Sequence, residues 1–267
     1  MSLFYLFILA TIQGITEFLP ISSSGHLILL PALMNHADQG QVIDVAVHVG
    51  TLGAVILYFW ADVKEALFGF FRLLRGQIDT RGAFLALCLI ISTVPVVVAG
   101  LVFKLTGLSD LLRSTAVIGW TMLGFGVVLY WADRTGTETK PATAWTLKDA
   151  LVMGCAQILA LIPGTSRSGI TITAARKLGY GREDAARLSM LMSIPVIIAS
   201  GALLGLEVIG TADMAAARDG AIAAAFAFVA ALLALSVMMR LLKTISYTPY
   251  VIYRVILGVV LLMIAYS

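Results

Sequence analysis

The chain alternates long apolar runs with short polar breaks, and the runs have the length that a lipid bilayer demands. A helix needs about 20 residues to cross the hydrocarbon, and the runs 42–60, 83–103, 116–131, 188–206, 221–239 and 251–267 meet or approach that length. This predicts an all-α polytopic membrane protein with six transmembrane helices. Two further stretches, 3–34 and 149–178, behave differently. Each is apolar, breaks at a Pro/Ser/Gly-rich elbow, and resumes for only about ten residues, too short to span. Each is therefore expected to be a re-entrant helical hairpin.

Loop charges orient the spans. Lys64, Arg72, Arg75 and Arg81 follow the first span, and Arg134, Lys140 and Lys148 lie in the central loop. Arg176, Lys177, Arg182 and Arg187 follow the second hairpin, and Arg240 and Lys243 precede the last span. By the positive-inside rule these segments are cytoplasmic. The connections 35–41, 104–115 and 207–220 are poorer in Lys and Arg, carry Asp38, Asp110, Glu207, Asp213 and Asp219, and are expected outside, as are both termini. Threaded this way, the first hairpin enters from outside and the second from inside, each followed by three spans of opposite sense. The single membrane domain 1–267 then divides into an inverted-topology repeat, 1–131 and 149–267, around the polar stretch Asp133–Lys148. The same pairing appears at a constant separation of 144 residues, as from 13 to 157: Gln13 meets Gln157, Ser22 meets Ser166, Ser24 meets Ser168 and Gly25 meets Gly169.

Composition agrees with the pattern. At 60% hydrophobic, 12% charged and a mean hydropathy of +0.98, the 267 residues are too apolar for a soluble domain. The net charge of +3 is scattered over short loops, which argues against nucleic acid and for a cytoplasmic-face bias. Cys88 and Cys155 sit in apolar runs without metal-ligand spacing and read as packing residues. The first Lys or Arg is Lys64, so the basic start of a secretory signal is missing and the first helix is expected to stay.

The candidate chemistry lies in the two elbows. The first reads Gln13-Gly-Ile-Thr-Glu17-Phe-Leu-Pro20-Ile-Ser22-Ser23-Ser24-Gly25-His26, the second Pro163-Gly-Thr165-Ser166-Arg167-Ser168-Gly169. Glu17 and Arg167 are charges in apolar segments, where an ionisable group costs about 3 kcal/mol or more and by default marks function. The Arg167 fork suits phosphate oxygens, and Thr165, Ser166 and Ser168 add hydroxyl donors. Two helix N-termini, opened by Gly25 and Gly169, are expected to point at the same anion. Gln13 and Glu17 share a helix face. Glu17 reads as a general base or as a ligand for a divalent cation shared with substrate diphosphate oxygens. His26 reads as nucleophile, general acid or base; His36 and His48 stand apart, and the Asp44–His48 pair reads as structural. Ser22, Ser24 and Gly25 complete the expected binding set. Repeat symmetry pairs Ser23 with Arg167, which makes Ser23 the first choice of nucleophile over His26 or a directly attacking water.

These residues resemble the bacterial undecaprenyl-diphosphate phosphatases of the bacitracin-resistance type, essentially end to end. One family signature is matched by Gln13, Glu17, Pro20, Ser22, Ser23, Ser24, Gly25 and His26, the other by Pro163, Gly164, Ser166, Arg167, Ser168 and Gly169. Many relatives carry Glu where this chain has Gln13, which leaves a single carboxylate. The resemblance implies hydrolysis of undecaprenyl diphosphate to the monophosphate and inorganic phosphate, recycling the carrier lipid for cell-wall polymers. It further implies a plasma-membrane location, a site open to the outer face, and stimulation by Mg²⁺ or Ca²⁺. The oligomeric state is left open, with a homodimer as one arrangement. Broken helices in inverted repeats also serve secondary transporters, so the rival reading is a carrier or flippase of an anionic polyprenyl lipid.

Overall fold

The computed structural model describes residues 1–27, 30, 40–208 and 214–267, with backbone alone at 109–110 and 206–208. The rest of the first hairpin's second arm, His36, Asp38 and Asp213, and the side chains of Asp110 and Glu207, lie outside the described residues.

The helices are α1 (Leu3–Phe18), α2 (Ser23–Leu27), α3 (Gln41–Tyr58), α4 (Trp60–Leu73), α5 (Arg81–Thr106), α6 (Leu108–Leu111), α7 (Thr115–Thr135), α8 (Leu147–Gln157), α9 (Arg167–Lys177), α10 (Arg182–Val208), α11 (Met214–Leu241) and α12 (Thr248–Tyr266). Six of these, α3, α5, α7, α10, α11 and α12, are long and apolar enough to cross a membrane. Their outward faces carry large apolar side chains, Val98, Leu101, Leu105, Ile256 and Met263 among them, each at least half exposed. Such an apolar exterior suits lipid, and the chain is a multi-pass membrane protein.

Helix ends follow local chemistry. Thr80 caps α5 by accepting from the Ala83 N–H, Ser114 caps α7 through Val117 and Thr146 caps α8 through Asp149. Gly107 closes α5 in the left-handed region at φ 71°.

In the packing, α11 lies against α1 and α3, while α5 lies against α8 and α10. α3 packs on α10, and α7 on α12. Contact is close where glycine removes the side chain. A Cβ at Gly50 would sit 2.2 Å from the Ala224 carbonyl oxygen of α11, and one at Gly154 would sit 2.5 Å from the Ser92 carbonyl oxygen of α5.

The segments predicted to share one membrane face are joined by ion pairs. Arg187 at the start of α10 donates to both oxygens of Asp62 in α4, from Nη2 at 2.6 and 2.7 Å. Asp133 at the end of α7 accepts from Arg176 Nε at 3.1 Å and Arg182 Nε at 2.8 Å. Arg176 is itself buried and donates to the carbonyls of Asp133, Gly136, Thr137 and Tyr180. The start of the central polar stretch is thus tied to α9 and to the start of α10. Tyr180 adds a bond to Asp149 at 2.6 Å, and burial, then that carboxylate, push its phenol well above the ordinary value, so it stays a donor. At another point of the molecule the N-terminal ammonium meets Asp219 of α11 at 2.6 Å.

Candidate active site

Both elbows arise from proline and glycine chemistry. Leu19 is extended (ψ 144°) before Pro20, the conformation that a following proline favours, and α1 ends there. In the second segment α8 passes into a tight turn over Ile158–Leu161, Ile162 is extended before Pro163, and Gly164 takes φ 89°. Among the described residues, Ser22 and Ser166, 144 residues apart, are the non-glycine residues at positive φ, 75° and 70°. That conformation costs a non-glycine residue on the order of 1–3 kcal/mol and persists where surroundings impose it. The same two serines form hydroxyl pairs: Ser22 Oγ lies 2.9 Å from Ser24 Oγ, and Ser166 Oγ lies 3.2 Å from Ser168 Oγ. Ser166 also caps α9 by accepting from the Gly169 N–H at 3.1 Å.

The elbows touch each other. Ser168 Oγ donates to the Leu19 carbonyl at 2.9 Å, and the Gly164 N–H donates to Ser24 Oγ at 3.1 Å. Between them Arg167 Nη2 donates to Glu17 Oε1 at 2.7 Å. The other oxygen, Oε2, accepts from Gln13 Nε2 at 2.9 Å and from Ser23 Oγ at 3.3 Å. Glu17 and Ser23 of the first elbow and Arg167 of the second, 150 residues from Glu17, therefore form one cluster. It borders a cavity of about 210 Å³, lined also by Thr16, Ser22, Ser24, His48, Ala160, Ile162, Gly164 and Ser166.

Not every expected residue reaches the cavity. Gln13 is fully buried behind Glu17, which it orients. Thr165 is fully buried with its hydroxyl unpartnered, and Ser168 bridges the elbows. Gly25 packs toward Met122, where a Cβ would lie 2.8 Å from the sulfur. Gly169 faces Arg254. His26 differs most from expectation: its Nδ1 bonds the Ser22 carbonyl at 2.8 Å and its Nε2 bonds the Tyr253 hydroxyl at 2.6 Å, with the two rings stacked. It is absent from the cavity wall.

His48, which stands apart from both elbows in the sequence, lines the cavity. Its Nδ1 bonds the Asp44 backbone carbonyl, which turns Nε2 into the cavity, 3.2 Å from Gln13 Nε2 and 3.9 Å from Glu17 Oε2. The spacing from Asp44 was visible; the approach of α3 to α1 was not.

The donor set does not fit a protein-held divalent ion. Among the described residues no three His, Cys, Asp or Glu side chains converge, and both Glu17 oxygens are already bonded. A guanidinium, hydroxyls and the α9 N-terminus instead make a pocket suited to phosphate oxygens, with one carboxylate able to take a proton.

Fold and site together define a multi-pass helical membrane protein with a buried carboxylate–guanidinium site walled by hydroxyls. The chain belongs to the bacitracin resistance protein BacA family, whose pattern matches residues 6–260. It is 72% identical to the undecaprenyl-diphosphatase of Roseobacter denitrificans and 71% identical to that of Dinoroseobacter shibae, in both cases over the whole of either chain. The protein of the same name from Maricaulis maris is 47% identical, covering 98% of each chain.

Proposed function

We propose that this protein hydrolyses undecaprenyl diphosphate to undecaprenyl phosphate and inorganic phosphate, recycling the carrier lipid for cell-wall polymers and conferring bacitracin resistance. The observation that carries the mechanism is the 2.7 Å pairing of Arg167 with Glu17 across the two elbows, beside Ser23. Arg167 has donors beyond the one given to Glu17, and with Ser166 and the α9 N-terminus it clamps the terminal phosphate. Ser23 Oγ attacks the terminal phosphorus while Glu17 Oε2 takes its proton. The bond from phosphorus to the bridging oxygen breaks, Glu17 passes the serine proton to the departing undecaprenyl phosphate, and water, deprotonated by the freed carboxylate, attacks the phosphoserine, Glu17 returning that proton to Ser23 Oγ as inorganic phosphate leaves. His48 stands beside this pair as the partner of Gln13 Nε2. Gln13 orients Glu17. His26 holds the Ser22 carbonyl and so the turn that presents Ser23. Ser22 shapes the first elbow, Ser24 and Ser168 tie the two elbows together, Gly25 lets α7 pack close, and the Thr165 carbonyl and Gly169 meet Arg254 behind the second elbow. A Mg²⁺ or Ca²⁺ ion belongs in this reading only as a companion of the diphosphate, because the side chains do not form a site for it alone.

The elbows are the tips of two re-entrant hairpins in an inverted repeat, with domain halves 1–131 and 149–267. Support comes from packing that repeats with the halves exchanged: α1 on α11 corresponds to α8 on α5, and α3 on α11 to α10 on α5, while α3 meets α10 and α7 meets α12. The paired positive-φ serines and the matching unpaired amide oxygens of Gln13 and Gln157 support it further. The Arg- and Lys-bearing ends face the cytoplasm, the termini and the site face outward, and the membrane is the bacterial inner membrane.

The test is phosphate release from a short-chain polyprenyl diphosphate in detergent micelles, where no gradient exists to drive transport. Wild type releases phosphate and Ser23→Ala loses it by at least about 100-fold. Full activity of Ser23→Ala would exclude the serine as nucleophile.

A further inference from the structure

One buried charge among the described residues remains outside these assignments. Arg254 lies inside α12 and is completely buried. None of the ion pairs among the described residues includes it. Its guanidinium donates only to backbone carbonyls: from Nη1 to Pro20 at 3.3 Å, from Nη2 to Gly164 at 3.1 Å and Thr165 at 2.9 Å, and from Nε to Met122 at 3.3 Å. Pro20 belongs to the first elbow and Gly164 and Thr165 to the second, so a single side chain bonds both. Gly169 leaves it room, since a Cβ there would lie 2.8 Å from Nη1.

A buried guanidinium without a carboxylate is costly, and carbonyl dipoles offset only part of that cost. Placed directly behind the elbows, its charge adds to that of Arg167 on the side of an anion. The bonds also fix peptide orientation. A trans peptide carries its C=O and N–H on opposite sides, so holding the Thr165 carbonyl fixes the direction of the Ser166 N–H, at the residue that caps α9 and lines the cavity.

We propose that Arg254 is a positioning residue for the phosphate pocket, setting the two elbows in register from behind. This rests on the hydrolase reading above. The test uses purified full-length wild type, Arg254→Lys and Arg254→Met in detergent, with size exclusion and thermal unfolding to count folded protein and phosphate release to give kcat and KM per folded molecule. Arg254→Lys keeps the charge but loses the planar fork. It is expected to stay folded, with kcat down about 10- to 100-fold and KM within about threefold, the size of effect that small misplacement of reacting groups produces. Arg254→Met is expected to fall further, and if it cannot be recovered folded the Lys variant decides. Wild-type kcat in either variant, a loss that vanishes when expressed per folded molecule, or failure of both variants to fold would overturn the assignment. A wild type that releases no phosphate would instead sink the hydrolase reading and this proposal with it.

Discussion

At the scale of single residues, the Glu17 carboxylate is the junction: Arg167, Gln13 and Ser23 all bond to it and His48 lies 3.9 Å away. Glu17→Gln keeps the shape but cannot take a proton, and kcat is expected to fall by about 100-fold or more, read as phosphate release by protein that still elutes as folded. His48→Gln preserves a partner for Gln13 and should keep activity within about threefold. His48→Ala removes the partner of a charged network, an effect of about 1.5–3 kcal/mol, and should lower kcat/KM by about tenfold or more; equal activity of the two variants would remove His48 from the site. Glu17 and Arg167 were legible because charge in an apolar segment is conspicuous. The same argument applies to Arg254, which stands in the apolar run 251–267 without the serines that accompany the other two. His48 gave no signal of its own, because what makes it part of the site is the packing of α3 beside α1.

At the scale of elements, the spans were readable because lipid-facing helices are apolar all round and long. Their ends were less so. α10 begins at Arg182, not near 188, because Glu183, Asp184 and Arg187 are helical residues whose charges find partners such as Asp62. The elbows show how a break is built. Ser166 combines a left-handed backbone with a helix cap, and the two demands separate by mutation. Ser166→Ala loses the cap and keeps the strain, whereas Ser166→Gly loses the cap but relaxes the backbone. The Ala variant is therefore expected to be less stable than the Gly variant by about 1 kcal/mol, measurable as a difference in unfolding midpoint in detergent. The opposite order would show that Ser166 is not strained. The glycine contact at Gly50 predicts that Gly50→Ala, with no space before the Ala224 carbonyl, destabilises by at least about 1–3 kcal/mol in the same unfolding assay; a variant as stable as wild type would mean that α3 and α11 sit farther apart.

For the whole molecule, the account requires that the two halves enter the membrane in opposite senses. Apolar periodicity carries no direction, so orientation was read only from Lys and Arg in the loops. Single cysteines at Ser2 and at Lys243, in a protein with Cys88 and Cys155 replaced, test it with a membrane-impermeant thiol reagent on intact cells: Ser2→Cys is expected to label and Lys243→Cys to label only after lysis. Labelling of both on intact cells, or the reverse order, would invert the proposed topology.

The central claim is that Glu17 from one elbow and Arg167 from the other serve a single phosphate pocket. The most direct measurement is the phosphate-release rate of Glu17→Ala, Arg167→Ala and the double variant on one polyprenyl diphosphate. Groups acting as a unit are not additive, so each single variant should lose about 100-fold or more and the double should be little worse than either. Single variants at the wild-type rate, or a double variant whose loss is the product of the two, would contradict it.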